Sequence, residues 1–124
     1  MKIKKLPESE FQIMKVIWQL ESPTTTAMIM DKLQADWKPT TILTFLSRLV
    51  NKGYLKCLKK GKENYYTPQV IEQDYLNFES KSFMERYQQP SLVSLINNFY
   101  TETEISDKDI EELSAWLESK KKSL

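Results

Sequence analysis

This 124-residue chain has two glycines, Gly53 and Gly61, and both fall in one short stretch. Ahead of Gly53 runs PTTILTFLSRLVNK, with apolar residues at helical spacing, and a glycine just past such a run supplies the left-handed residue that stops a helix. Between the glycines lies YLKCLKK, and past GKEN comes YYT, so Gly61 belongs to a turn joining two short strands that Pro68 closes. The expected fold is therefore mainly α with a small β-hairpin.

Two further helices precede this unit. Pro7 suits a helix start, and Phe11, Met14, Ile17 and Trp18 repeat at helical spacing over Glu8–Leu20. ESPTTT interrupts the pattern. Thr24 is the expected N-cap of a second helix reaching about Ala35, with Ile29 and Leu33 inward. The third helix is expected over Pro39–Lys52. Three helices followed by a hairpin is the order of a winged helix-turn-helix, here residues 1–70, with the third helix as candidate recognition helix.

Beyond Pro68 the pattern is helical again. IEQDYLNFESKSFMERYQ forms one helix before Pro90. SLVSLINNFY puts Leu92, Leu95, Ile96 and Phe99 on one face. In ISDKDIEELSAWLESKK, Ser106 is the N-cap, Asp109 follows three residues on, and Ile110, Leu113, Trp116 and Leu117 point inward. Three such helices bury little by themselves. Residues 71–124 are accordingly read as a dimerisation region whose apolar faces meet a second copy of the chain.

Composition narrows the chemistry. There is no histidine, and Cys57 is the single cysteine, which removes His-based acid–base catalysis, Cys/His nucleophilic pairs and the usual zinc sites. No glycine-rich loop exists to cradle a phosphate. No enzyme, metal or cofactor is expected. No apolar run reaches the roughly 18 residues of a membrane span, and MKIKKLPESEF lacks the apolar core of a signal peptide, so a cytoplasmic protein without membrane contact is expected. The net charge of +1 conceals an asymmetry: residues 1–70 hold 12 Lys/Arg against 6 Asp/Glu, and residues 71–124 hold 6 against 11. A basic module for a polyanion and an acidic module with another task fit that division.

The third helix has an odd face. At 100° per residue, Ile42, Phe45, Leu46, Leu49 and Val50 share the inner arc. Opposite them lie Thr40, Thr44, Ser47, Arg48 and Asn51, with Thr41 and Lys52 at the margin. β-Branched threonine is a poor choice for an exposed helix site, costing a few tenths of a kcal/mol (about 0.5) relative to alanine. Short hydroxyl side chains do, however, let a helix sink into the major groove, hydrogen-bond to phosphates or base edges, and offer a methyl to thymine. Arg48 and Lys52 can reach phosphates, and Lys59, Lys60 and Lys62 make the adjoining wing basic. Leu43 lies between the arcs, as peripheral core or as an apolar contact to a thymine methyl. The competing reading is a winged helix used for protein interaction.

These residues resemble the BlaI/MecI/CopY family of penicillinase repressors. Its recognition-helix signature corresponds to Trp37, Thr41, Thr44, Arg48, Leu49, Lys52 and Gly53, with Lys38 beside it. Glu10, Met14 and Trp18 match the first helix, where Phe11 replaces a tryptophan of the family pattern, Tyr65 and Tyr66 match the second wing strand, and SLINNF and ISDKDIEEL the dimerisation region. The resemblance implies a homodimeric repressor in which each winged helix reads half of an inverted-repeat operator built around TACA and TGTA. It also implies inactivation through a sensor-protease pathway, by cleavage at a bond that aligns with Asn98–Phe99. A repressor answering a small-molecule signal without cleavage is the alternative. Two positions depart from the β-lactam branch: Thr40 replaces a lysine and Leu43 an arginine, which bears on the operator preferred. The copper branch has paired Cys-x-Cys motifs near the C-terminus, whereas this chain ends ESKKKSL.

Overall fold

Glu8 and Glu10 occupy the first turn of α1 (Glu8–Gln19), where negative charge suits the helix dipole, directly after Pro7. The computed structural model describes residues 3–124. Ile13, Met14 and Ile17 of α1 are fully buried and form one wall of the core.

The chain then makes a short strand, β1 (Thr24–Thr25), which the sequence reading missed. Thr24, the expected N-cap, is instead wholly buried opposite Tyr66 in the sheet. The cap falls one residue later, where the Thr25 hydroxyl accepts the Met28 N–H at 3.2 Å. Helix α2 (Thr26–Lys32) is also shorter than expected: Leu33 turns extended and packs at the edge of the core. Helix α3 (Pro39–Asn51) starts on Pro39 at N1 and buries Ile42, Leu46 and Leu49. It closes with a Schellman motif. Gly53 takes φ 84°, its N–H donates to Val50, and the Tyr54 N–H donates to Leu49 at 2.9 Å.

Strands β2 (Leu55–Lys60) and β3 (Glu63–Pro68) form the expected hairpin, and β1 adds to β3, giving an antiparallel sheet of order β1-β3-β2. The connection is only Gly61–Lys62. Gly61 has φ 66°, as the first central position of a type II′ turn requires.

The chain divides into two compact units, residues 1–82 and 83–124, not at the expected 70/71 boundary. The cause is Tyr75, early in α4 (Glu72–Arg86). Its ring is packed among Phe11, Trp18, Tyr54 and Phe78, with centroids 5.7–6.0 Å away. Its phenol oxygen accepts the buried Leu6 N–H at 2.8 Å. Nearby, the Trp18 indole N–H donates to the Val70 carbonyl at 2.9 Å, and Lys15 pairs with Glu72 at 2.6 Å. Aromatic packing of this kind makes the start of α4 part of the N-terminal unit.

In the second unit, α4 ends with Gln88 and Gln89 both left-handed, at φ 55° and 54°. Helix α5 (Leu92–Glu102) is capped by Ser91, and α6 (Asp107–Lys121) by the expected Ser106–Asp109 capping box. Neither helix buries a single residue. No helix among the described residues is long and apolar enough to cross a membrane.

Candidate nucleic-acid interface

The face of α3 opposite the core presents Thr40, Leu43, Thr44, Ser47 and Arg48 to solvent, with Thr41 half-exposed beside them. The Thr44 hydroxyl donates to the Thr40 carbonyl at 3.0 Å, which fixes its rotamer and leaves its methyl and oxygen lone pairs available. The Arg48 guanidinium lies over the Phe45 ring at 5.7 Å, and Phe45 meets Trp37 edge-to-face at 5.4 Å. Trp37 is half-buried in this stack, so it props the start of α3. Lys38 is exposed at the N-cap position, and its carbonyl accepts the N–H groups of Thr41 and Ile42.

Leu43 is 44% exposed and stands as a ridge between two hollows. One, of about 430 Å³, is walled by Thr25, Thr26, Ala27 and Met30 on one side and Lys62, Glu63 and Asn64 on the other. The second, about 260 Å³, lies towards Ser47, Cys57 and Tyr66. Leu43 therefore belongs to the exposed surface between α2, α3 and the wing.

Pairing registers sort the wing lysines. Lys59 is opposite Asn64 and Cys57 opposite Tyr66, so Lys59 shares the sheet face that borders α3. Lys60, opposite Glu63, lies on the other face with Tyr65, whose hydroxyl donates to Glu63 at 3.1 Å. That hydrogen bond, with the Glu63 charge behind it, raises the Tyr65 phenol above its ordinary pKa. Lys62 is exposed in the turn. Lys56, also exposed on β2, extends the basic strand and was not among the expected residues, although its spacing to Lys60 was visible.

Lys52 behaves differently from its expected neighbours. Its ammonium pairs with Glu10 at 2.5 Å, and the Glu10 side chain is 3% exposed. This partner sits 42 residues away, so no local pattern named it. A signal did exist, because Glu10 lies on the same helical stripe as Ile13, Met14 and Ile17.

In the second unit, Leu92, Phe99, Ile110, Trp116 and Leu117 are exposed, and Leu95, Ile96 and Leu113 are half-buried. Asn98 and Phe99 are exposed on α5; the Asn98 carbonyl also accepts the Thr101 hydroxyl at 3.1 Å.

Known proteins are similar to this chain. The pattern of the family described as Penicillinase repressor matches residues 6–119. A penicillinase repressor of Bacillus licheniformis is 37% identical over 121 residues, covering 97% of this chain and 94% of that one. The methicillin resistance regulatory protein MecI of Staphylococcus aureus (strain N315) is 31% identical over 116 residues, covering 93% and 94%. Among solved structures, the DNA-binding domain of the repressor BlaI is similar with a TM-score of 0.53 and 39% identity, covering 60% of this chain and 92% of that one. The Bacillus licheniformis BlaI monomeric form in complex with the blaP half-operator is similar with a TM-score of 0.50 at the same identity and coverage. With its winged helix, its threonine-faced α3 and a match running nearly end to end, this chain belongs to the penicillinase repressor family.

Proposed function

We propose that the protein is a homodimeric transcriptional repressor that binds an inverted-repeat operator. The observation that carries this reading is the exposed row Thr40, Thr44 and Ser47 on α3, flanked by Arg48 and the wing lysines. A helix gives up propensity for such a row when short hydroxyls must approach base edges closely, while lysines and arginine hold phosphates. The similarity to a BlaI domain bound to a half-operator supports the same role for α3 and wing.

The unpartnered apolar residues of α5 and α6 supply the dimer contact in this reading. Cleavage of the Asn98–Phe99 bond would detach α6 and the end of α5, and with them Phe99, Ile110, Leu113, Trp116 and Leu117, the larger part of that surface. The bond lies near the C-terminal end of α5, where a helix frays most readily and a protease can take hold of an extended strand.

The test is binding of the full chain to a duplex carrying TACA and TGTA half-sites in inverted repeat, against a scrambled duplex, between about 50 and about 200 mM salt. Two chains per duplex, preference for the repeat, and a steep fall with salt are expected. Equal, salt-insensitive binding to both duplexes would exclude the reading.

A further inference from the structure

Glu10 is the one buried charged residue among the described residues, at 2% exposure for the residue as a whole. Placing a carboxylate in a core is costly, and a buried ion pair usually contributes no more stability than apolar residues of the same volume. Stability therefore does not explain it.

Its position does. Glu10 is the third residue of α1, near the positive end of that helix dipole. Lys52 is the C-cap of α3, near the negative end of that one, one residue ahead of Gly53 where the Schellman motif forms. Each charge suits its own helix end, and the 2.5 Å contact ties the start of α1 to the end of α3. The exposed hydroxyl side chains of α3, Thr40, Thr44 and Ser47, are short, so they reach a base edge only if the helix axis is correctly placed. Hydrogen bonds fail when donor and acceptor part by about 1 Å. The wing lysines are long and flexible and tolerate such an error.

We propose that the Glu10–Lys52 pair positions the recognition helix, and that Lys52 serves α3 rather than contacting DNA. This rests on the DNA-binding reading above. Lys52 is a positioning residue whose loss removes discrimination between sequences and leaves phosphate binding intact.

The experiment uses the full chain and the two duplexes already described, with three variants: Lys52→Met, Glu10→Gln, and the double apolar variant Glu10→Leu/Lys52→Met. Lys52→Met is expected to lower affinity for the inverted repeat about tenfold, with binding to the scrambled duplex and the salt slope unchanged. Glu10→Gln is expected to lower repeat affinity too. The double variant should unfold at the same or higher urea concentration than the wild type, yet still discriminate poorly between the duplexes. A merely structural pair would not separate stability from discrimination in this way.

If Lys52 instead holds a phosphate, Lys52→Met weakens both duplexes and lowers the salt slope by about 1 per chain. In that case Glu10→Gln, by releasing the ammonium, strengthens binding. Either result overturns the proposal, as does wild-type discrimination in the double variant. Should Lys52→Met fail to fold, the sign of the Glu10→Gln effect and the double variant decide. Wild-type protein that prefers neither duplex would sink the DNA-binding reading itself, an outcome separate from failure of the pair alone.

Discussion

The hydroxyl of Thr44 donates into its own helix, a local bond that competes with regular helix geometry and slightly weakens it. Thr44→Ala should therefore leave the thermal midpoint unchanged or raise it, since alanine is better in a helix by about 0.5 kcal/mol. Recognition should move the other way, with discrimination at one base pair of each half-site falling by about 1 kcal/mol. Melting curves together with binding to half-site variants would check both signs. Tyr75 makes a different prediction. Burial first, then the neighbouring Glu79 carboxylate, push its phenol up to about 12, against the opposing Leu6 N–H. The folded pKa lies above the unfolded value of about 10, so this contribution is intact below about pH 10 and declines as the pH rises towards about 12. Urea midpoints measured from about pH 8 upward, about two units below the unfolded value, should hold and then drop. Tyr75→Phe should remove its share of the drop, at a cost of about 1 kcal/mol for the orphaned Leu6 N–H.

At the scale of elements, the wing separates two kinds of contact. Lys60 lies on the sheet face with Glu63 and Tyr65, away from the one bordering α3, so in the proposed reading it serves backbone charge alone. Lys60→Ala is expected to weaken repeat and scrambled duplexes alike and to lower the salt slope by about 1 per chain, checked by salt titration. Much of this architecture is legible in the sequence. The wheel of α3 separates Ile42, Leu46 and Leu49 from the threonines because 3.6-residue periodicity needs no distant partner. Gly53 and Gly61 announce their positive φ for the same local reason. What stays hidden depends on distant residues. Two threonines become β1 only because Tyr65 and Tyr66 lie opposite them, and the N-cap moves to Thr25 as a consequence. Glu10 looks like a surface acid until Lys52 is placed beside it. Tyr75 looks like any helical aromatic, and only its packing against Phe11, Trp18 and Tyr54 carries the first unit past residue 70.

For the whole molecule, assembly is the property that α5 and α6 leave open. Leu113 is half-buried and Trp116 and Leu117 are exposed, a surface that one chain does not cover by itself. Leu113→Asp would put a charge into that surface, which the proposed dimer would tolerate poorly. Mass in solution should fall to that of one chain, and binding to a two-half-site duplex should lose its tight component while a single half-site is bound as before. An unchanged dimer mass would remove this region from the interface. The sheet raises the opposite concern, association that must not occur. Strand β2 is the last in the order β1-β3-β2, so its outer backbone groups can template a strand from another molecule. Lys56, Lys59 and Lys60 line that edge, and charge there is a recognised guard against aggregation. Stripping all of them would unguard the edge as well as remove the phosphate contacts proposed for the wing, so insolubility would masquerade as lost DNA affinity unless the lysines are replaced one at a time.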